Sequence, residues 1–137
     1  MAKIYTAPFA QSPKTAAVVV TAAATVGDDN PTNTVELLTA GADGALVTRL
    51  SAMPRGTVTA SSLVLYLQKS GQTTQRLIDS ELMAAHTVAA TTAIPETAFG
   101  NVSDSTPLRL EAGDTLFVGS QVALDAGIVF AAQWMDY

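Results

Sequence analysis

From Leu108 to Tyr137 the chain alternates short apolar runs with tight glycine turns, and that rhythm restricts it to β-structure. Leu108 and Leu110 alternate, Glu111-Ala112-Gly113-Asp114 forms a turn, and Leu116, Phe117 and Val118 open a new strand. A second turn at Asp125-Ala126-Gly127 leads into Ile128-Val129-Phe130 and on to Trp134 and Tyr137. The spacing predicts a β-meander that finishes an all-β domain, and no catalytic motif lies in or beside it.

The same punctuation continues upstream. Residues 35–39 and 45–50 flank Gly41-Ala42-Asp43-Gly44, and Asp-Gly between two apolar runs signals a hairpin, which would bring Glu36 near Arg49. Residues 57–68 read as the longest strand. Val58, Val64 and Tyr66 point one way and Leu63, Leu65 and Leu67 the other, so the strand is either central in a covered sheet or presented to a partner subunit. Lys69-Ser70-Gly71-Gln72 turns it back through residues 73–78. Residues 79–85 read as a short helical turn capped by Asp79 or Ser80, residues 87–94 as extended, and residues 95–106 as a polar loop. Residues 15–26 form a first core strand, because the apolar run at 16–26 is far too short to span a membrane. Ahead of it, residues 1–14 are an extended arm: Pro8 and Pro13 forbid a helix, and Ile4, Tyr5 and Phe9 are spaced along it. The expectation is an antiparallel β-sandwich, jelly-roll-like, spanning residues 15–137 behind that arm.

Composition narrows the partners. Of the 137 residues 48% are hydrophobic and only 14% charged, low for a surface that meets nothing but water. The seven Lys and Arg are scattered and the net charge is −5, which disfavours nucleic acid because phosphates need a basic stripe. Without cysteine there is no thiolate nucleophile, disulfide or Cys-based zinc site. The single histidine, His86, has no Gly-x-Ser-x-Gly elbow to serve, and reads as a loop or strand-edge residue. Asp28-Asp29, with Asn30 and Asn33 nearby, suits either an oxygen-ligand calcium loop or an ordinary turn, and its spacing fails the EF-hand pattern. Phe130, Trp134 and Tyr137 are either a sugar-binding platform or core and interface residues. No catalytic residue, cofactor or metal site is expected, and no membrane partner.

The order of the whole chain resembles a family of small structural proteins of tailed bacteriophages, encoded beside the major capsid protein. The matching stretches are MAKIYTAPFAQSP, TNTVELLTAGADGALVTRL, LVLYLQKSGQTTQRLIDSELMAAHTV and STPLRLEAGDTLFVGSQVALDAGIVFAAQWMDY. Separately, LRLEAGDTLFVG is similar to the penultimate hairpin of trimeric jelly rolls of the tumour-necrosis-factor and complement type. The first resemblance implies a head decoration, or cement, protein on the outer surface of the virion, bound to the major capsid protein and often trimeric. A receptor- or glycan-binding jelly roll of a tail or fibre is the alternative, with Trp134 as the discriminator. The expected capsid or subunit contacts are Ile4, Tyr5 and Phe9 of the arm together with Leu63, Leu65 and Leu67, the alternative for the arm being the first strand of its own sandwich. Deleting residues 2–13 is expected to leave a folded protein that binds particles poorly.

Overall fold

Among the described residues nine strands divide between two antiparallel sheets packed face to face. A computed structural model describes residues 12–25 and 29–137, so Ile4, Tyr5 and Phe9 lie outside the described residues. The strands are β1 (Ser12–Val20), β2 (Val35–Thr39), β3 (Ala45–Pro54), β4 (Ser61–Gln68), β5 (Gln75–Met83), β6 (Thr97–Ala98), β7 (Leu108–Leu110), β8 (Thr115–Ser120) and β9 (Ile128–Asp136). One sheet runs β1-β9-β3 and continues with β6 and β7 both on the far side of β3, while the other runs β2-β8-β4-β5. That order is the double Greek key of a jelly roll.

Two faces of hydrophobic side chains close the core. Ile128, Phe130, Ala132 and Trp134 alternate inward along β9, Leu50 and Ala52 come from β3, and Leu63, Leu65, Leu116 and Val118 come from the opposite sheet. Phe99 and Phe130 meet in the middle at a centroid distance of 6.4 Å, tilted by 41°. At about 1.5–3 kcal/mol for each fully buried large side chain, this stripe of alternating residues is the main reason the two sheets stay face to face.

Several turns read as hairpins are instead corners between sheets. β2 and β3 lie in different sheets, so the turn at Gly41-Ala42-Asp43-Gly44 carries the chain across the sandwich. Glu36 and Arg49 are thereby separated: Glu36 accepts a bond from Thr39 Oγ1 at 2.8 Å, and Arg49 pairs with Glu96 at 2.7 Å. The terminal meander is corrected in the same way, since β7 belongs to the first sheet, β8 to the second and β9 to the first again. A tight glycine turn reverses the chain whether it closes a ladder or rounds a corner, so its residues alone cannot tell the two apart. The β4–β5 turn is the sequence-read hairpin that stays within one sheet.

Other boundaries move too. Residues 79–83 are strand and 84–85 irregular, with no helix: pairing of Gln75–Met83 along β4 overrides a weak local signal, with Ile78 left as the extra residue of a bulge between Asp79 and Leu77. The 57–68 strand begins at Ser61, and the longest strand is the ten-residue β3. Residues 87–94 pair with no strand and turn at 90–92, with His86 bridged to Val58 ahead of them. The 95–106 loop is less polar than expected, because it contains β6 and buries Phe99 and Val102. β1 starts at Ser12 and ends at Val20, with Ala23 forming a separate parallel bridge to Ser120.

The corner glycine Gly44 gives a direct test of this topology. Its φ is +91°, and a β-carbon there would stand 2.5 Å from the Leu110 carbonyl oxygen in β7. Gly44→Ala is therefore expected to lower stability by about 1–3 kcal/mol in urea unfolding, from left-handed strain and from pushing β7 off β3. A change below ~0.3 kcal/mol would contradict this packing.

Candidate functional site

Polar chemistry concentrates at one end of the sandwich, and it is engaged in holding turns together. Asp114, 1% exposed, takes a bond from Lys69 Nζ at 2.7 Å and from the backbone N–H groups of Ser70 (3.1 Å) and Glu111 (2.9 Å). Burial pushes its carboxyl up, but the Lys69 bond and the two backbone donors outweigh that and hold it below the usual carboxylate value. Lys69 is raised in turn, first by its bond to Asp114, against its own desolvation, with Glu111 adding to the rise. Nearby, Asp136 accepts Gly41 N–H at 3.2 Å and pairs with Lys14 at 2.7 Å. Backbone bonds from Ala40 to Asp114 and from Gly113 to Ala40 join the corners further. Two buried aspartates thus pin the β2–β3, β4–β5 and β7–β8 turns and the C-terminus into one rigid end.

The outer faces of the two sheets are treated differently. On the β2-β8-β4-β5 sheet Val64 and Tyr66 point away from the core, yet they are buried. The chain supplies the cover: Ala24 N–H bonds to Ser120 O at 2.8 Å, and Asn30 exchanges bonds with Gln75 of β5. Thr34 Oγ1 adds a bond to Gln75 Oε1. Residues 23–25 and 29–34 thus run between β8 and the far edge at β5. Gly119 makes room for this crossing, since a β-carbon there would lie 3.2 Å from that of Ala24.

On the β1-β9-β3 sheet the described residues leave the outward side of β1 without such cover, while on β3 Ser51 is only 6% exposed. The outward side chains of this sheet form rows set by the strand register: Pro13–Met135–Leu46, Thr15–Gln133–Arg49, Ala17–Ala131–Ser51 and Val19–Val129–Met53. Val19 is 41% exposed and Met53 38%. Arg49, paired with Glu96, is the one charge in these rows on β1, β9 and β3, and exposed Arg109 of β7, opposite Leu46, extends the first of them. A shallow groove of about 290 Å³, lined mainly by Pro13, Thr15, Thr48, Gln133 and Met135, crosses the face.

The residues expected to make contacts are distributed unevenly. Leu63 and Leu65 have no exposed surface and belong to the core; Leu67 is half-buried and packs against it. The two-sided strand is thus the central, covered kind, and Leu63 and Leu65 have nothing to offer a partner. Ile4, Tyr5 and Phe9 fall outside the described residues. The face carrying Ala17, Val19, Val129 and Ala131 was missed because residues 16–26 read as buried strand. The available signal was β9, where Val129, Ala131 and Met135 leave the outward row apolar as well.

The candidate chemical groups have structural partners. Asp29 pairs with Arg76, Asn30 and Asn33 adopt left-handed turns, Asn30 accepts Gln75 N–H, and Asn33 donates to Ala23 O at 2.9 Å. Among the described residues no three or more His, Asp and Glu side chains converge on a point where a metal would sit. Of the described cations, Lys14, Arg49, Lys69 and Arg76 each sit against a carboxylate. Phe130 and Trp134 are core residues, so with Tyr137 they present no aromatic platform. No protein-family model, no curated protein and no solved structure matches the chain.

Proposed function

We propose that this chain is a non-enzymatic structural protein of a tailed-phage particle, a head decoration protein that binds the outside of the shell and ties major capsid subunits together. The observation that carries the reading is a division of labour on the surface. Two buried aspartates join the turns at one end, while the β1-β9-β3 face is mostly apolar, its charges being Arg49, paired with Glu96, and Arg109 at the β7 margin. A cement protein needs that combination: a body that does not deform, and an apolar surface to bury in an assembly. The order of the sequence, which resembles the phage family over most of its length, supports a phage head as the assembly. The placement of Trp134 in the core favours this reading over a glycan-binding tail module, which needs exposed aromatic rings.

The test is composition of the particle. Heads purified from a lysate are expected to carry the chain at a copy number close to that of the major capsid protein or a simple fraction of it. Purified chain is expected to bind heads that lack it and to raise their temperature of rupture. Recovery only with tails, or no binding to bare heads, would overturn the proposal. Because β1 begins at Ser12, the arm is best tested by deleting residues 2–11, which leaves the ladder to β9 whole. That truncation is expected to fold with an unchanged melting temperature and to bind heads at least ~10-fold more weakly, a loss of about 1.4 kcal/mol.

A further inference from the structure

We infer that the outward face of the β1-β9-β3 sheet is the surface through which copies of this chain meet one another. The inference stands apart from the capsid reading, since it rests on the face alone. Nine consecutive residues of β1 pair with β9 in unbroken register, so that half of the face is free of bulges. At its centre the row Ala17–Ala131–Ser51 keeps side chains short, letting another backbone approach closely, and the row Val19–Val129–Met53 adds exposed apolar area. A nine-residue strand is about 30 Å long and strands lie ~4.8 Å apart. Three of them make a patch of several hundred Å², the size that marks an interaction site on a soluble protein.

Charge selects the occupant. Each copy carries a net charge of −5, so two copies repel wherever carboxylates are brought together. The central rows, Ala17–Ala131–Ser51 and Val19–Val129–Met53, hold no charge, and Arg49 beside them is neutralised by Glu96, so two such chains can come together there without apposing like charges. An anionic membrane or a nucleic acid finds no basic stripe on it: Lys14 and Arg49 are paired with carboxylates, and Arg109 is a single cation at the β7 margin. The chain also covers the outer face of its second sheet with its own residues 23–25 and 29–34, leaving this one for another molecule. Among the described residues nothing pairs with the outward edge of β1, which from Thr15 to Val20 holds neither charge nor proline. Natural edge strands are ordinarily blunted by such residues, and this one is contiguous with the bare face. The other exposed apolar group, Leu77, Ile78 and Leu82 on β5, is interleaved with Arg76, Asp79 and Glu81 and broken by the bulge at Ile78.

Light scattering on the full chain tests the inference. Wild type at tens of micromolar is expected to have the mass of an oligomer. Ala17→Arg and, separately, Val19→Lys are expected to weaken association at least ~10-fold, because each places an unpaired charge in the apolar contact. Both positions are exposed edge-strand sites, so each variant should keep the wild-type circular dichroism and melting profile at a concentration where wild type is monomeric. Leu82→Arg on β5 should leave the oligomer intact. A monomeric wild type overturns the inference. So does an oligomer that survives both β1 substitutions or dissociates with Leu82→Arg. Binding of bare heads by a wild-type monomer would sink this inference and leave the capsid proposal standing; an oligomer indifferent to heads does the reverse.

Discussion

Phe99→Ala is expected to cost about 3–5 kcal/mol of unfolding free energy, a large part of the stability of any single domain. Phe99 sits in a stretch that looks like solvent-facing loop, yet its ring is fully buried against Phe130. The backbone fixes it there. Its N–H bonds to Leu50 O at 2.9 Å, its carbonyl accepts from Val102 N–H at 2.9 Å, and β6 just before it pairs with Ser51 and Ala52. Since β3 is held by β9 on one side and by these segments on the other, the cavity left by alanine cannot close by moving one strand. Urea unfolding of the variant beside Leu82→Ala, an exposed control expected to change stability by less than ~0.5 kcal/mol, checks the claim. A loss under ~1 kcal/mol for Phe99→Ala would mean that the loop is not part of the core.

What the sequence made legible follows from which signals are local. Alternation in Leu63–Leu67, Leu116–Val118 and Ile128–Trp134 reports a pleated strand with a buried face, and those strands stand where their residues place them. Turn residues report reversals, and Gly44, Gly71, Gly113 and Gly127 all take the positive φ that such reversals require. Which sheet each strand joins is a non-local fact. Asp43-Gly44 and Gly113-Asp114 have hairpin chemistry, but the strands they connect find better partners elsewhere: β2 on β8, β3 on β9. Residues 79–83 illustrate the same limit. Asp79 makes a local bond to Ser80 N–H of the kind that starts helices, and the ladder to β4 outweighs it.

The interface was less legible than the fold because hydrophobic pattern marks burial without naming the cover. Both rows of β4 and both rows of β9 are apolar, so the sequence gives the two strands the same description. In the structure the outward row of β4 is covered by the chain itself, and that of β9 is not. The difference is decided by where residues 23–25 and 29–34 cross, which depends on contacts such as Asn30 with Gln75 across more than forty positions. Small side chains such as Ala17 and Ala131 also score weakly as hydrophobic, although it is their size that suits them to a close sheet contact.

Asp114 should be the polar residue the fold tolerates losing least. Asp114→Ala removes the acceptor of the Ser70 and Glu111 N–H groups and the partner of Lys69 at once, and a loss of about 2–4 kcal/mol is expected at neutral pH. Asn cannot substitute cleanly. One oxygen serves Ser70 while the other serves both Lys69 and Glu111, so an amide in either orientation turns N–H against at least one donor. The pH dependence separates charge from shape. The Asp114 carboxyl is held below its ordinary value of 3.8 in the folded chain, so the unfolded chain takes up the proton first on acidification. Its contribution is therefore complete above that value and declines as pH falls below it towards the lowered folded one. Lys69 is raised above 10.5, so its share is complete below that value and is lost as pH climbs through the raised folded one. The stability gap between wild type and Asp114→Asn, from urea melts at pH 7 and pH 3, should narrow in acid, the other carboxylates cancelling because both proteins carry them. An equal gap at both pH values would show that the aspartate acts through shape alone. Since its bonds join the β4–β5 turn to the corner that opens β8, its protonation is also where acid should first loosen this end of the sandwich.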